Sequence, residues 1–190
     1  MKRVLDILAS LSAIIVLSPV FLAVVLIVLI SDGSPAIYTQ KRVGKDAKLF
    51  TIYKFRTMKN GTRLAATNDL TESDSSMISC GSFLRKTSLD ELPQLINILK
   101  GDMSFVGPRP LIPEEEEIHK LRKENDIYCV RPGLTGYAQV NGRDKCSIEE
   151  KVQLDREYIE KKSILFDTKI FFKTFINVFK MSDVVEGGNK

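Results

Sequence analysis

VLDILASLSAIIVLSPVFLAVVLIVLI, residues 4–30, is the stretch on which the rest of the chain turns. Only Asp6, three serines and Pro19 interrupt its apolar run. From Ile7 to Ile30 there are 24 residues, and as one straight helix they would reach about 36 Å, enough to cross a bilayer's hydrocarbon core. The run is too long for the core of a cleaved signal, and no small-residue cleavage site closes it. Two features argue against a simple span. Pro19 follows Ser18 near the middle, and a proline there removes a backbone donor and crowds the preceding turn, so a kink is expected at Ser18-Pro19. Both flanks are basic: Lys2 and Arg3 before, Lys41, Arg42, Lys45 and Lys48 after. Basic flanks stay on the cytoplasmic side, so both ends are expected on that side. A helix bent at Ser18-Pro19, each arm about 12 residues or 18 Å, enters one leaflet and returns. A kinked helix that spans is the alternative, since prolines occur in spanning helices.

Outside this run the chain is ordinary. Its 190 residues suit an anchor over 1–32 and one globular unit over 33–190, long enough for a real core without disulfides or metal as staples. The expected class is α+β, mostly helical. The net charge of +4 fits an anionic membrane surface or a phosphorylated substrate and is too small to argue for nucleic acid. Cys80, Cys129 and Cys146 are odd in number and form no CxxC pair, which disfavours a disulfide scaffold or a zinc site. His119 has no second histidine with which to build a triad or a His-rich metal site.

Ser31-Asp32-Gly33-Ser34-Pro35 is a turn cluster closing the apolar run. LFTIYKFRTM, residues 49–58, alternates as a strand and would put Lys54 and Arg56 on one face. Residues 60–79 are polar and read as a long loop. Leu92, Leu95, Ile96 and Leu99 recur at helical spacing, so a helix is expected over 89–99, stopped by Gly101. DMSFVGPRPLIP, residues 102–113, reads as a rigid irregular loop, and 114–125 as a charged helix. Three glycines surround a short strand at 137–140, and Ser147 with Glu150 makes a capping box for a helix to about Lys162. Near 164–181, Lys169, Lys173, Asn177 and Lys180 form a stripe among phenylalanines and isoleucines. That pattern suits a helix lying in a membrane interface, or one that covers the core.

TSLDELP, residues 87–93, carries the chemistry. Asp90 and Glu91 are adjacent carboxylates at an expected helix start. Ser88 and Glu91 have capping-box spacing; alternatively Asp90 is itself the cap. In either case the helix field is expected to lower the Asp90 pKa and to favour a phosphate beside it. Plain capping explains such a motif in isolation, but its surroundings are cationic. Arg85 and Lys86 precede it, Arg109 stands between Pro108 and Pro110, and Arg131 precedes Pro132-Gly133. Arginines on rigid loops are suited to clamping phosphates. There is no GxxxxGK[ST] and no GxGxxG.

Together, Lys2-Arg3, Ser18-Pro19, QKRVG at 40–44, YKFRTM at 53–58, RKTSLDELPQ at 85–94, GDMSFVGPRP at 101–110 and RPGLTGYAQVNGR at 131–143 resemble the small monotopic phosphoglycosyl transferases. These bacterial sugar transferases begin glycoconjugate and capsule assembly. The resemblance covers nearly the whole chain, and it implies a re-entrant anchor at the cytoplasmic face of the inner membrane. It also implies Asp90 as the nucleophile attacking a UDP-sugar, with UMP leaving and polyprenyl (undecaprenyl) phosphate accepting the sugar phosphate. Glu91 is implied as the partner of Asp90, the two holding Mg²⁺. Arg85, Arg109, Arg131, Lys54, Arg56 and Gln139 are the residues expected on the substrate. A scaffold that merely binds anionic lipid would leave the Asp-Glu pair unexplained, and a phosphohydrolase would leave the anchor without a chemical purpose.

Overall fold

The computed structural model describes residues 1–61, 76–142 and 146–179. Most of the expected 60–79 loop, Arg143, and Lys180 with Met181 at the end of the last amphipathic stretch therefore lie outside the described residues.

The apolar run forms two helices, α1 (Lys2–Val16) and α2 (Ser18–Asp32), bent by 62° at Leu17. The bend falls where proline requires it: Pro19 lies in the first turn of α2, where its missing N–H costs nothing, and the Ser18 hydroxyl donates to the Ile15 carbonyl at 2.8 Å. No single helix among the described residues is long and apolar enough to cross a membrane; the bent pair together passes that test.

Both ends of the pair are tied to the same globular body. Lys2 Nζ donates to the Val106 carbonyl and to the Tyr158 hydroxyl, each at 2.8 Å, and meets Asp167 at 2.7 Å. The Arg3 guanidinium donates to the carbonyls of Ile98 and Leu99. At the far end Asp32 meets Arg56, which also donates to the carbonyls of Asp32 and Gly33. One face of the pair is core: Val24 and Val28 are buried against Phe55, Ile78 and Leu84. The pair also leaves Leu8, Leu11, Ile15, Val16, Leu22, Leu26 and Ile30 exposed.

Strands β1 (Ile37–Val43) and β2 (Leu49–Phe55) pair antiparallel with Ile37 opposite Phe55 and Val43 opposite Leu49. This register puts Gln40, Arg42, Ile52 and Lys54 on one face. Arg56 does not share that face. It lies beyond the strand end and is buried on Asp32, Gly33 and Asn60, because the nearest carboxylate and carbonyls are those ending α2.

Helix α3 (Gly81–Lys86) leads to a 3₁₀ turn over Leu89–Glu91, and α4 runs Gln94–Lys100. The expected single helix over 89–99 is thus broken, since Pro93 has no N–H to continue it and starts α4 instead. Gly101 stops α4 as expected, at φ 97°. Within the expected irregular loop, β3 (Ser104–Val106) pairs parallel with β4 (Gly133–Thr135). Helix α5 covers Glu116–Glu124. The expected strand at 137–140 is instead helix α6 (Tyr137–Asn141): Val140 is buried against Val106, Tyr158 and Ile170, and tertiary packing overrides a four-residue pattern. Helix α7 (Ile148–Lys161) begins with the Ser147–Glu150 capping box read from the sequence.

Helix α8 (Ile164–Phe179) covers the core with one face and leaves apolar side chains exposed on another. Ile170 is buried in the core beside Phe166 and Phe171, while Leu165, Phe172, Phe175 and Ile176 are exposed. Lys173 and Asn177 bond back to Asn141 and to the Val140 carbonyl.

Candidate active site

Asp90 lies in the 3₁₀ turn between α3 and α4, and its position is set by backbone geometry. Ser88 adopts a left-handed conformation, φ 56°, which reverses the chain after α3. No capping bond forms from the Ser88 side chain, so neither the capping box nor an Asp90 cap is realised. Asp90 is instead turned into the protein and buried. Its pKa is pushed up to about 6, the reverse of the expectation from a helix field. Burial is the largest cause and the neighbouring Glu91 charge the next; Lys54 and Arg85 pull in the other direction. A 3₁₀ turn of three residues has too few aligned peptides to offset that desolvation.

Glu91 faces a cleft whose wall also contains Arg42, Lys54, Gln94, Arg109 and Gln139. Lys54 Nζ binds Glu91 Oε1 at 2.6 Å. The cleft joins the β1–β2 face to the loop after β3 and to β4 with the segment that follows it. These two segments touch backbone to backbone at Gly107, Gly133 and Gly136. A Cβ on Gly133 would lie 2.1 Å from the Gly107 nitrogen, and one on Gly136 would lie 2.2 Å from the Gly107 oxygen. Only glycine permits this approach, which brings Pro108-Arg109-Pro110 to the cleft mouth.

Of the residues expected from sequence, Glu91, Lys54, Arg109 and Gln139 line the cleft, and Asp90 precedes Glu91 directly. Arg85 stands close enough to act on Asp90, and its Nε donates to Thr57 Oγ1 at 3.0 Å. Arg131 and Arg56 are not part of the cleft wall. Arg131 Nε donates to the Gly101 carbonyl at 2.8 Å, and Arg56 joins β2 to the end of α2. Sequence reasoning missed Arg42, Gln94 and the buried pair Arg122–Asp155. Arg42 was legible in principle: two residues beyond Gln40 on a hairpin, it falls on the Lys54 face. Arg122 was not, since its role depends on a partner 33 residues away.

Arg122 Nη2 binds Asp155 Oδ2 at 2.6 Å, and Nη1 donates to the Arg109 carbonyl at 2.8 Å. The loop that carries Arg109 is therefore held from beneath by a buried ion pair.

Among the described residues no group of three or more His, Cys, Asp or Glu side chains could enclose a metal ion. Adjacent Asp90 and Glu91 nevertheless fit a hard cation of the Mg²⁺ type, which takes one or two protein carboxylates and completes its shell with substrate phosphate and water. Chemically the site offers a buried carboxylate beside a cleft walled by the cations Arg42, Lys54 and Arg109.

Comparisons with known proteins identify the family to which the chain belongs. The family model for bacterial sugar transferases matches residues 1–181. The chain is 40% identical over 188 residues to the exopolysaccharide production protein ExoY of Sinorhizobium fredii, with 91% of this chain and 83% of that protein covered. It is 39% identical to the UDP-glucose:undecaprenyl-phosphate glucose-1-phosphate transferase of Escherichia coli, covering 94% of this chain and 40% of that protein. It is 38% identical to the undecaprenyl-phosphate galactose phosphotransferase of Salmonella typhimurium, covering 92% of this chain and 39% of that protein. The chain thus spans well under half the length of these last two relatives, and most of the length of the first. A match over nearly its whole length, with the Asp-Glu turn and the cationic cleft inside it, makes the chain a member of the bacterial sugar transferase family.

Proposed function

We propose that the chain transfers a sugar 1-phosphate from a UDP-sugar to polyprenyl (undecaprenyl) phosphate through a covalent Asp90 intermediate, as the first membrane step of a polysaccharide, capsule or glycoprotein glycan. The observation that carries this reading is the buried Asp90 beside Glu91, which lines a cleft walled by Arg42, Lys54 and Arg109. An Asp90 carboxylate oxygen bonds to the sugar-bearing phosphorus, and the bond from that phosphorus to the bridging oxygen breaks. The electron pair leaves with UMP. A phosphate oxygen of polyprenyl phosphate then attacks the same phosphorus, the acyl phosphate bond breaks, and Asp90 is returned as carboxylate. Two half-reactions let a soluble and a lipidic substrate use one site in turn. Mg²⁺, held by Asp90 and Glu91 with the substrate's phosphates, would supply charge neutralisation of the diphosphate. Lys54 orients Glu91 through its 2.6 Å bond, and the cleft arginines hold the phosphates against a nucleophile of the same sign.

The bent helix pair supports a re-entrant anchor at the cytoplasmic face of the cell membrane. Two arms of 15 residues meeting at 62° put the apex roughly 11 Å off the line joining their ends, less than one leaflet of hydrocarbon. The ion pairs and hydrogen bonds of Lys2 and of Asp32 with one body are consistent with both ends lying on one side.

The test of the mechanism is intact-protein mass spectrometry after addition of a UDP-sugar and Mg²⁺ without lipid acceptor. We expect a mass gain of one phosphosugar on Asp90, discharged by polyprenyl phosphate; UMP release only when both substrates are present would refute the covalent route. For topology, tags fused before Met1 and after Lys190 should both resist protease in intact spheroplasts. Cleavage of the first alone would establish a spanning helix instead.

A further inference from the structure

We propose that Arg42 and Arg109 form the subsite for the nucleoside monophosphate, holding the phosphate that becomes the leaving group. This rests on the UDP-sugar reading above and adds to it a residue and a division of labour within the cleft.

The argument begins with Arg42. It extends from β1 on the same face as Ile52 and Lys54, so the hairpin register directs it into the cleft. Its guanidinium is held in place by hydrogen bonds. Nη2 donates to Gln40 Oε1 at 2.7 Å and Nη1 to the Pro110 carbonyl at 3.3 Å; both acceptors are uncharged. Among the described residues its Nε meets no acceptor although it is shut off from solvent. Arg109 lies near enough for the two positive charges to repel: burial lowers the Arg42 pKa first and Arg109 lowers it further, while the Glu115 and Glu91 carboxylates act in the opposite direction without offsetting them. Two guanidiniums on the wall of one cleft, one of them with a buried nitrogen that no acceptor meets, are an arrangement that a bound anion stabilises.

The loop geometry fixes them there. The Arg109 carbonyl is held by Arg122 and the Pro110 carbonyl by Arg42, so the backbone between the two prolines has little freedom. This rigidity leaves the Arg109 side chain exposed above Arg42 instead of collapsing onto a carboxylate. Lys54 is committed to Glu91, on the Asp90 side of the cleft. The cations therefore divide into two groups. Lys54 and Arg85 act on Asp90 and so serve the phosphorus under attack, and Arg42 and Arg109, which act on one another, are assigned the next phosphate. As the bond to the bridging oxygen breaks, negative charge accumulates on the outer phosphate, where a fixed guanidinium pair stabilises the transition state more than the ground state. The acceptor has one phosphate and no nucleotide, so it does not use this subsite.

The test uses the full chain in detergent, with UMP as the binding probe and UDP-glucose, UDP-galactose and UDP-N-acetylglucosamine as a substrate panel. Arg42→Ala should weaken UMP binding by calorimetry at least tenfold. With whichever panel member turns over, it should raise KM and lower kcat while leaving KM for polyprenyl phosphate unchanged. Arg42→Lys should recover only part of the loss, since an ammonium cannot bind phosphate bidentately. A second measurement needs no variant: UMP, but not polyprenyl phosphate, should protect Arg42 of the wild-type protein from phenylglyoxal, read by peptide mass. UMP binding unchanged in Arg42→Ala, or equal modification of Arg42 with and without UMP, overturns the subsite. Absence of UMP release by the wild type with every panel member would instead overturn the proposed activity, and the binding and protection arms still judge the subsite in that case.

Discussion

Asp90→Asn is expected to abolish turnover, by at least about 10³-fold, and at the same time to make the protein more stable. The two effects have one cause. The folded protein holds the Asp90 carboxyl at about 6 against an ordinary value of 3.8. Below the ordinary value the group is neutral in both folded and unfolded states and costs nothing. As pH rises through 6 the folded state must ionise a desolvated carboxyl beside Glu91, and stability is lost. At 1.36 kcal/mol per pKa unit, the cost above pH 7 is on the order of 2–3 kcal/mol. An asparagine keeps the shape and carries no charge, so it removes that cost along with the nucleophile. The check is thermal unfolding at pH 7.5 and at pH 4. The variant should melt several degrees higher at the first and close to wild type at the second. Wild-type activity should correspondingly fall as pH drops through about 6, because the proton that stabilises the fold also silences the nucleophile. A catalytically normal Asp90→Asn protein would sink the covalent mechanism.

The largest loss of stability is expected from Asp155→Ala. Asp155 and Arg122 are both almost wholly buried, with exposures of 1% and 4%, and bonded at 2.6 Å. Removing the carboxylate strands a guanidinium in the core, where the cost is on the order of 3–5 kcal/mol. Asp155 is itself held above the ordinary carboxylate range by burial, with Arg122 opposing. A buried pair of this kind contributes less than either half costs when left alone. The double replacement of Arg122 by Met and Asp155 by Leu should therefore be clearly less destabilising than Asp155→Ala. Urea midpoints of the three proteins measure this. Activity should follow a different order. The double variant loses the bond to the Arg109 carbonyl, so its KM for the nucleotide sugar should rise even where its fold is restored. If the double variant proves as unstable as Asp155→Ala, the loss lies in packing and not in the stranded charge.

Lys54 and Arg56 show how far local reading carries. Alternation over 49–58 correctly found a strand, and Lys54 does face the cleft. The same alternation put Arg56 on the Lys54 face, but the strand ends at Phe55, and the guanidinium goes to the carbonyls that close α2. An exposed helix end is invisible in a two-residue period. Asp90 teaches the same lesson in its charge state. The sequence placed a carboxylate at a helix start and implied a lowered pKa; Pro93 divides the segment, Ser88 turns it inward, and desolvation reverses the sign.

The amino-acid order alone determined those features that arise from nearest neighbours along the chain. These are the apolar pair of helices and their break at Ser18-Pro19, the Gly101 stop, the Ser147–Glu150 capping box and the adjacency of Asp90 to Glu91. Proline, glycine and capping chemistry act within a few residues, so they need no fold to be read. Tertiary structure decided which cations gather. It brought Arg42 and Arg109 together across 67 positions of sequence, sent Arg56 and Arg131 to backbone carbonyls, and buried Arg122 on Asp155. A long flexible side chain takes the best acceptor within its reach, and only the packed backbone determines which acceptors those are.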